Sequence, residues 1–218
     1  MKSLVQSHYK KSQRGYSLIE LSIVLAIIAV IIAGAIFGVQ AILRANNVNK
    51  TISQTNIAVN KIVAKLIRDN NYAGATTQNL SAQGQEVWDA NVITNGGAAN
   101  ADVQHPFGNS IYVKPLSATE FNLDPNQAYV YTLTGVPVAA CSDLAAGLEG
   151  LALAASIKNG AALANNAAAP DLMANAGTSI KRPVNGATAA ITYSNAVTVG
   201  ACSGTSSTAD ISLLIPRR

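Results

Sequence analysis

Histidine, aromatic residues and charge are all scarce in this chain, and cysteine occurs only twice in 218 residues. The two histidines are His8 and His105. A nucleophile–histidine–acid set could be built only on His105, and no flanking motif accompanies it. Beside Pro106, in a turn-rich stretch, His105 reads as a solvated loop histidine. No Cys/His grouping has metal-ligand spacing. Asp102, Asp124 and Asp171 are scattered and lack the pattern of a calcium loop. Gly96-Gly97 lacks the strand–loop–helix and lysine context of a phosphate cradle. The expectation is a chain without catalytic residues, metal or cofactor, and so not an enzyme. Asn-x-Ser/Thr triplets at Asn49 and Asn79 are short enough to arise by chance.

Acidic residues are missing where they would balance the N-terminus. The first fifteen residues carry Lys2, Lys10, Lys11 and Arg14 and no acid. Setting those four aside, eleven Lys and Arg face eleven Asp and Glu, so the whole net charge of +4 lies in this segment. That distribution excludes a basic nucleic-acid-binding surface on the remainder, and no direct nucleic-acid contact is expected. The low charged fraction, 12%, with abundant Ala, Asn, Ser and Thr, fits an extracellular, assembling surface. Proline is absent from Tyr16 to His105, which leaves room for a long helix.

What is present is Arg14-Gly15-Tyr16-Ser17-Leu18-Ile19-Glu20, followed by a nineteen-residue apolar run, Leu21 to Val39, with Ser22 its only polar residue. As a helix that run spans about 28 Å, the thickness of a bilayer hydrocarbon core. Basic residues before it hold the N-terminus in the cytoplasm and send the remainder outward. A secretory signal is cut after its apolar stretch; here the basic segment ends at Gly15, before it. Glu20 stands at the threshold of the run. A carboxylate entering a membrane is costly and has a partner or a task, although one turn from the helix start it can also reach interfacial water, as in a plain signal anchor.

The string Gly15-Tyr16-Ser17-Leu18-Ile19-Glu20 with Leu-Ser-Ile-Val-Leu-Ala-Ile-Ile-Ala-Val-Ile-Ile-Ala-Gly after it resembles the N-terminus of type IV pilins, specifically so over residues 14 to 40. The resemblance implies a leader of residues 1–15, cut between Gly15 and Tyr16 by an inner-membrane prepilin peptidase. It implies N-methylation of the Tyr16 amine and a role for the Glu20 carboxylate in adding subunits to a fibre. The first mature residue is Tyr, where the most familiar pilins carry Phe. The chemistry is coherent without the family: an α-amine is mostly cationic at neutral pH, and in an apolar bundle both it and Glu20 need an opposite charge. The Tyr16 amine can meet the Glu20 of a staggered neighbour or that of its own helix, four residues away, and both pairings stay open.

Beyond Val39 the helix turns amphipathic. Ile52, Thr55, Val59, Ile62 and Leu66 form a 3-4 stripe joined by Val63 and Ile67, with Lys50, Asn60, Lys61, Lys65 and Arg68 on the polar side. The helix is expected to run to Asn70-Asn71, with Gly74 as a stop. Gly34 and Gly38 sit four apart, a spacing that lets helices approach closely or marks a soft point. Residues 73 to 110 read as loop or broken structure, anchored by Trp88. Strands are expected at Ser110–Lys114, Ala128–Leu133, Ala189–Val199 and Asp210–Ile215. A helix is expected over Cys141–Ala155 from Leu144, Leu148 and Leu151, and a long loop over 156–188. Arg217-Arg218 reads as a solvated tail.

Cys141 and Cys202, an even pair in an oxidising compartment, favour a disulfide over two buried thiols. It would close a loop of about 60 residues, worth on the order of 4 kcal/mol by chain entropy. Type IV pilins resemble this too, with a C-terminal disulfide fastening the end of the head. The large enclosed segment looks like the type IVb branch and is similar to enteric adhesive pilins and conjugative thin-pilus subunits, though this leader is shorter than many of theirs.

The expected fold is α+β. Residues 16–72 form a long helix, with 21–39 as transmembrane segment and filament core. A head of residues 73–218 carries an antiparallel sheet and a disulfide-bounded region, 141–202. The expected function is the structural subunit of a helical pilus used for adhesion, motility or DNA transfer. Its partners are copies of itself, the prepilin peptidase, inner-membrane assembly machinery and, before assembly, lipid. It starts as a single-pass inner-membrane precursor and ends in the extracellular pilus. The alternatives are a minor pilin, a pseudopilin of a type II secretion system, or a single-pass anchored enzyme or binding protein.

Overall fold

A computed structural model of the chain describes residues 15–69, 71–117, 121, 123–160, 177–183 and 189–217. The chain divides into two compact units, residues 1–43 and 44–218. Helix α1, Leu18–Leu66, supplies the described helix of the first unit and the opening helix of the second. Every described residue of the first unit is exposed. Among the described residues α1 is the one helix long and apolar enough to cross a membrane.

The second unit is built on a five-stranded sheet. Its strands are β3 (Ile111–Pro115), β4 (Ala128–Pro137), β5 (Ala154–Asn159), β6 (Thr178–Lys181) and β7 (Thr208–Pro216). The spatial order is β3-β4-β7-β5-β6, every neighbour antiparallel. The last strand in sequence therefore lies in the middle. It is flanked by β4 through pairs such as Tyr131 with Leu213, and by β5 through pairs such as Ile157 with Ile211. A strand paired on both edges has little exposed backbone, and β7 has seven consecutive buried residues, apolar except for Asp210 and Ser212. Strands β1 (Ile93–Thr94) and β2 (Asp102–Val103) make a separate small ribbon, and α2 (Thr77–Leu80) precedes it.

The pleat sorts the sheet residues into two sets. Tyr129, Tyr131, Leu133, Ile157, Ile211, Leu213 and Ile215 join the main core together with α1 and α3 (Val138–Leu148). Ala128, Val130, Ala154 and Leu214 form a smaller core with Leu116 and Phe121. In α1 the buried residues are Val48, Thr51, Thr55, Ala58, Val59 and Ile62. This face is turned slightly from the stripe read in the sequence. Ile52 and Leu66 are half-buried, Ile67 is exposed, and the small residues Thr51 and Ala58 are fully buried. The reason lies on α3, where Gly147 leaves space filled by the end of Ile52; a Cβ there would collide with Ile52 Cδ1.

Several expectations need correction. Helix α1 stops at Leu66, short of Asn71, and residue 70 lies outside the described residues. The chain turns at once, with the Asp69 amide donating to the Leu66 carbonyl at 3.1 Å, because Tyr72 is drawn into the core. The Tyr72 ring packs edge-on against Tyr129, centroids 5.2 Å apart, and its amide donates to the Asn126 carbonyl. The helix expected over Cys141–Ala155 starts earlier and ends earlier, at Leu148. A 3₁₀ turn, Glu149–Leu151, leads into β5, whose alanines 154 and 155 pair with β7. The loop expected over 156–188 contains most of β5 and all of β6; residues 161–176 and 184–188 lie outside the described set.

The strand expected over Ala189–Val199 is an isolated bridge at Ile191 followed by helix α4, Asn195–Cys202. Its β-branched valines suggest a strand, yet the buried residues Thr198, Ala201 and Cys202 follow helical spacing. Ser194 stands at the N-cap position with an extended backbone. Residues 73–110 are broken into short elements, and Trp88 is buried in the main core.

The contact at Gly147 can be tested. Replacing Gly147 with Leu overpacks the α1–α3 contact and should destabilise the head by about 1–3 kcal/mol, read as a lower thermal midpoint. Adding Ile52→Ala should recover part of the loss. A Gly147→Leu midpoint equal to wild type would show that the two helices do not meet there.

Candidate assembly site

The N-terminal motif is placed at the entrance to α1. Gly15, Tyr16 and Ser17 precede the helix, which begins at Leu18. The Ser17 carbonyl accepts the Leu21 amide at 3.1 Å and so starts the helical ladder. Glu20 falls in the first turn, where a carboxylate is favoured by the unsatisfied amides and the helix dipole. The hydroxyl of Ser22, the one polar side chain of the apolar run, donates back to the Ile19 carbonyl at 2.8 Å and is thereby satisfied within the helix. Tyr16 is 84% exposed, Glu20 is also exposed, and both are accessible to an enzyme or a neighbouring chain.

From Leu21 to Val39 a dozen large apolar side chains are exposed around the whole circumference of the helix. A helix apolar on every side has no face suited to water. At Gly34 and Gly38 a Cβ would meet no atom within 4 Å, so the backbone is bare on the helix surface at both places. That is the feature that permits close approach of a second helix.

In the second unit Cys141, on the second turn of α3, and Cys202, the last residue of α4, form a disulfide with Cα atoms 5.8 Å apart. Both residues are buried. The bond clamps α4 to α3, and the segment it closes contains β5 and β6. Asn159 at the end of β5 strengthens the same corner, its side-chain amide donating to the Ala201 carbonyl.

His105 is not the solvated loop residue that its neighbours suggest. It is 2% exposed, with Nε2 2.8 Å from the Thr134 carbonyl. Burial holds its pKa below the ordinary value, opposed in part by the Thr134 bond and the Asp102 charge. Its sequence context, Pro106-Phe107-Gly108-Asn109, signals a turn correctly but says nothing of the packing above it. Gly147 and the Tyr72–Asn126 tie were also missed. A glycine inside an apolar helical pattern was the one signal that could have marked the former. Among the described residues no three His, Cys, Asp or Glu side chains gather as metal ligands. Asp171, His8 and Arg218 lie outside the described residues, and Arg217 is exposed.

Comparison with known proteins bears on the motif first. Residues 10–36 match the family model described as the prokaryotic N-terminal methylation motif. The solved structure of TcpA, a type IV pilin from Vibrio cholerae El Tor biotype, superposes with a TM-score of 0.50 at 18% identity, covering 78% of this chain and 98% of that one. The chain has the type IV pilin fold. Within that fold it is similar in sequence to the major structural subunit of the bundle-forming pilus of Escherichia coli O127:H6 (strain E2348/69 / EPEC), 29% identical over 144 residues. The same subunit from Escherichia coli O111:H- matches equally well. The alignment takes in 62% of this chain and spans 65% of the length of these relatives. The long helix and antiparallel head of the pilin fold are thus both present.

The disulfide carries a prediction. Cys141→Ser should leave the sheet intact but lower head stability by about 4 kcal/mol, the chain-entropy value for a loop of this length. Limited proteolysis should then cut between residues 141 and 202 at protease concentrations the wild type survives. Equal resistance of variant and wild type would show that the bond does not hold the corner.

Proposed function

We propose that this chain is the structural subunit of a type IV pilus, of the IVb-like branch, assembled from many copies into an extracellular helical filament. The observation that carries the reading is the methylation motif at the mouth of a helix whose apolar surface is uncovered all round. The relatives it resembles in sequence, major structural subunits of the bundle-forming pilus, support it.

The mechanism is transfer of an apolar helix between two apolar surroundings. The precursor rests in the inner membrane with its basic leader in the cytoplasm. Prepilin peptidase cuts after Gly15 and methylates the Tyr16 amine. The assembly machinery then lifts the helix out of lipid into a bundle of like helices, so its side chains never face water. Buried in that bundle, the Glu20 carboxylate needs a cation. The Tyr16 amine of an adjacent, axially staggered copy supplies it, which sets register more than it adds stability. Gly34 and Gly38 give the closest helix–helix approach. The head coats the filament and presents the surface used in adhesion, motility or DNA transfer. Its Cys141–Cys202 clamp favours a pilus subunit over a pseudopilin.

The experiment is a pair of variants assayed for processing and for filaments sheared from cells. Glu20→Ala should be cut to mature size and stay in the membrane, with sheared filament reduced to background. Gly15→Ala should remain at precursor size. Wild-type filament yield from Glu20→Ala would remove the assembly role, and mature-size Gly15→Ala would remove the cleavage site.

A further inference from the structure

The uncovered part of α1 carries one acid and one base, and they stand at opposite ends of its apolar surface. Glu20 is the only acid of α1, and between Glu20 and Lys50 the only other charged residue is Arg44. Beyond Val39 the exposed apolar side chains continue through Ile42 and Leu43, broken by Gln40. A carboxylate and a guanidinium therefore bracket the stretch from Leu21 to Leu43. Both are exposed, as is every residue between them. They are twenty-four residues apart, about 36 Å of helical rise.

Neither charge is used within the chain. Among the described residues neither the Glu20 nor the Arg44 side chain takes part in a hydrogen bond or ion pair. Arg44 has no acid three or four residues away with which to pair along the helix. The first buried residue of α1 is Val48, a turn beyond Arg44. Lys50, the next base, already borders the groove formed with Trp88 and Asp89.

In the membrane-resident precursor both charges are provided for. The stretch reaches across a hydrocarbon core of about 30 Å, which sets Glu20 at one interface and Arg44 at the other. Each can reach water and headgroups there. Transfer into a bundle of like helices removes both interfaces in one step, and an isolated charge among apolar side chains is strongly disfavoured. In such a bundle the stretch offers one anion per copy, Glu20, and two cations, the Tyr16 amine and Arg44. The acid open to Arg44 is then the Glu20 of another copy.

Axial position decides which cation Glu20 meets. Parallel copies shifted by four residues, about 6 Å, bring Tyr16 level with a neighbour's Glu20. At shifts between that and about 36 Å, the carboxylate faces only residues 21–43 of the neighbour. At about 36 Å it comes level with Arg44. A helical assembly gives each copy neighbours at several axial shifts, so both cations can reach one carboxylate, which has two oxygens to accept them. Packed helix axes lie about 8–10 Å apart, a gap that an Arg and a Glu side chain span together.

We propose that Arg44 of one copy pairs with Glu20 of a second copy displaced by about 36 Å along the filament. The two charges that bracket the apolar stretch thus close on each other between copies. The pairing rests on the assembly reading above and adds a second register contact to it. The length of the stretch, as well as its N-terminal end, then sets the spacing of copies.

The test uses the full chain in its own host, with mature subunit in the membrane and sheared filament measured together. Arg44→Glu sets two carboxylates level. It should be processed and held in the membrane like wild type, with sheared filament reduced to background. Removing a base from the outer flank leaves insertion to the N-terminal bases that direct it. Lys50→Glu, six residues on, should assemble normally. Independently of any variant, a helical reconstruction of wild-type filaments should place the Arg44 guanidinium within about 4 Å of the Glu20 carboxylate of another copy. Normal filament yield from Arg44→Glu, equal loss from Lys50→Glu, or a reconstruction with Arg44 turned to solvent would each overturn the pairing. A Glu20→Ala chain that assembles removes the assembly reading itself. Failure of Glu20→Ala beside normal assembly of Arg44→Glu removes this pairing alone.

Discussion

The exposed apolar surface of the first half of α1 is the constraint on which everything else depends. A dozen large aliphatic and aromatic side chains between Leu21 and Val39 are uncovered. At about 1.5–3 kcal/mol for each fully buried side chain, keeping them from water is worth on the order of 20–30 kcal/mol. That exceeds the whole stability of an ordinary domain, about 5–15 kcal/mol. Such a segment has two acceptable surroundings, lipid or other helices of its kind. The proposed function uses both in succession, and Gly15, Tyr16 and Glu20, the residues to which it assigns the change, stand at the N-terminal end of that helix.

The second unit solves a different problem. Its opening helix and its final strand are far apart in sequence and must be held in one core. The C-terminal β7 does this by taking the central place in the sheet, where Ile211, Leu213 and Ile215 meet the face covered by α1 and α3. The disulfide then binds α4, just before β7, to α3, just after β4. Covalent bond and strand pairing act on the same connection. Gly135 and Asp210 absorb the irregularity where β4 shifts register, and His105 rests on that same point.

Much of this was legible because it rests on periodicity and spacing. The apolar run, its basic prelude, Glu20 and the second-half stripe announce α1 directly. Tyr129-Val130-Tyr131-Thr132 alternate as a strand must, and the two cysteines, an even pair, point to each other. The misreadings share a cause, local preference overruled by distant contacts. Val197 and Val199 favour a strand, yet a disulfide at Cys202 and the burial of Thr198 make the segment helical. Ala154 and Ala155 look helical, yet the open edge of β7 recruits them. His105 lies in a turn by every local sign, but Thr134, 29 residues away, decides its environment.

The most direct measurement of the central claim is mass spectrometry of the N-terminal peptide of protein taken from sheared filaments of its own host. The account predicts a peptide that begins at Tyr16 and carries one methyl group on its amine. A peptide that begins at Met1 or Lys2, from cells with an active prepilin peptidase, would contradict it and return α1 to the role of a plain membrane anchor.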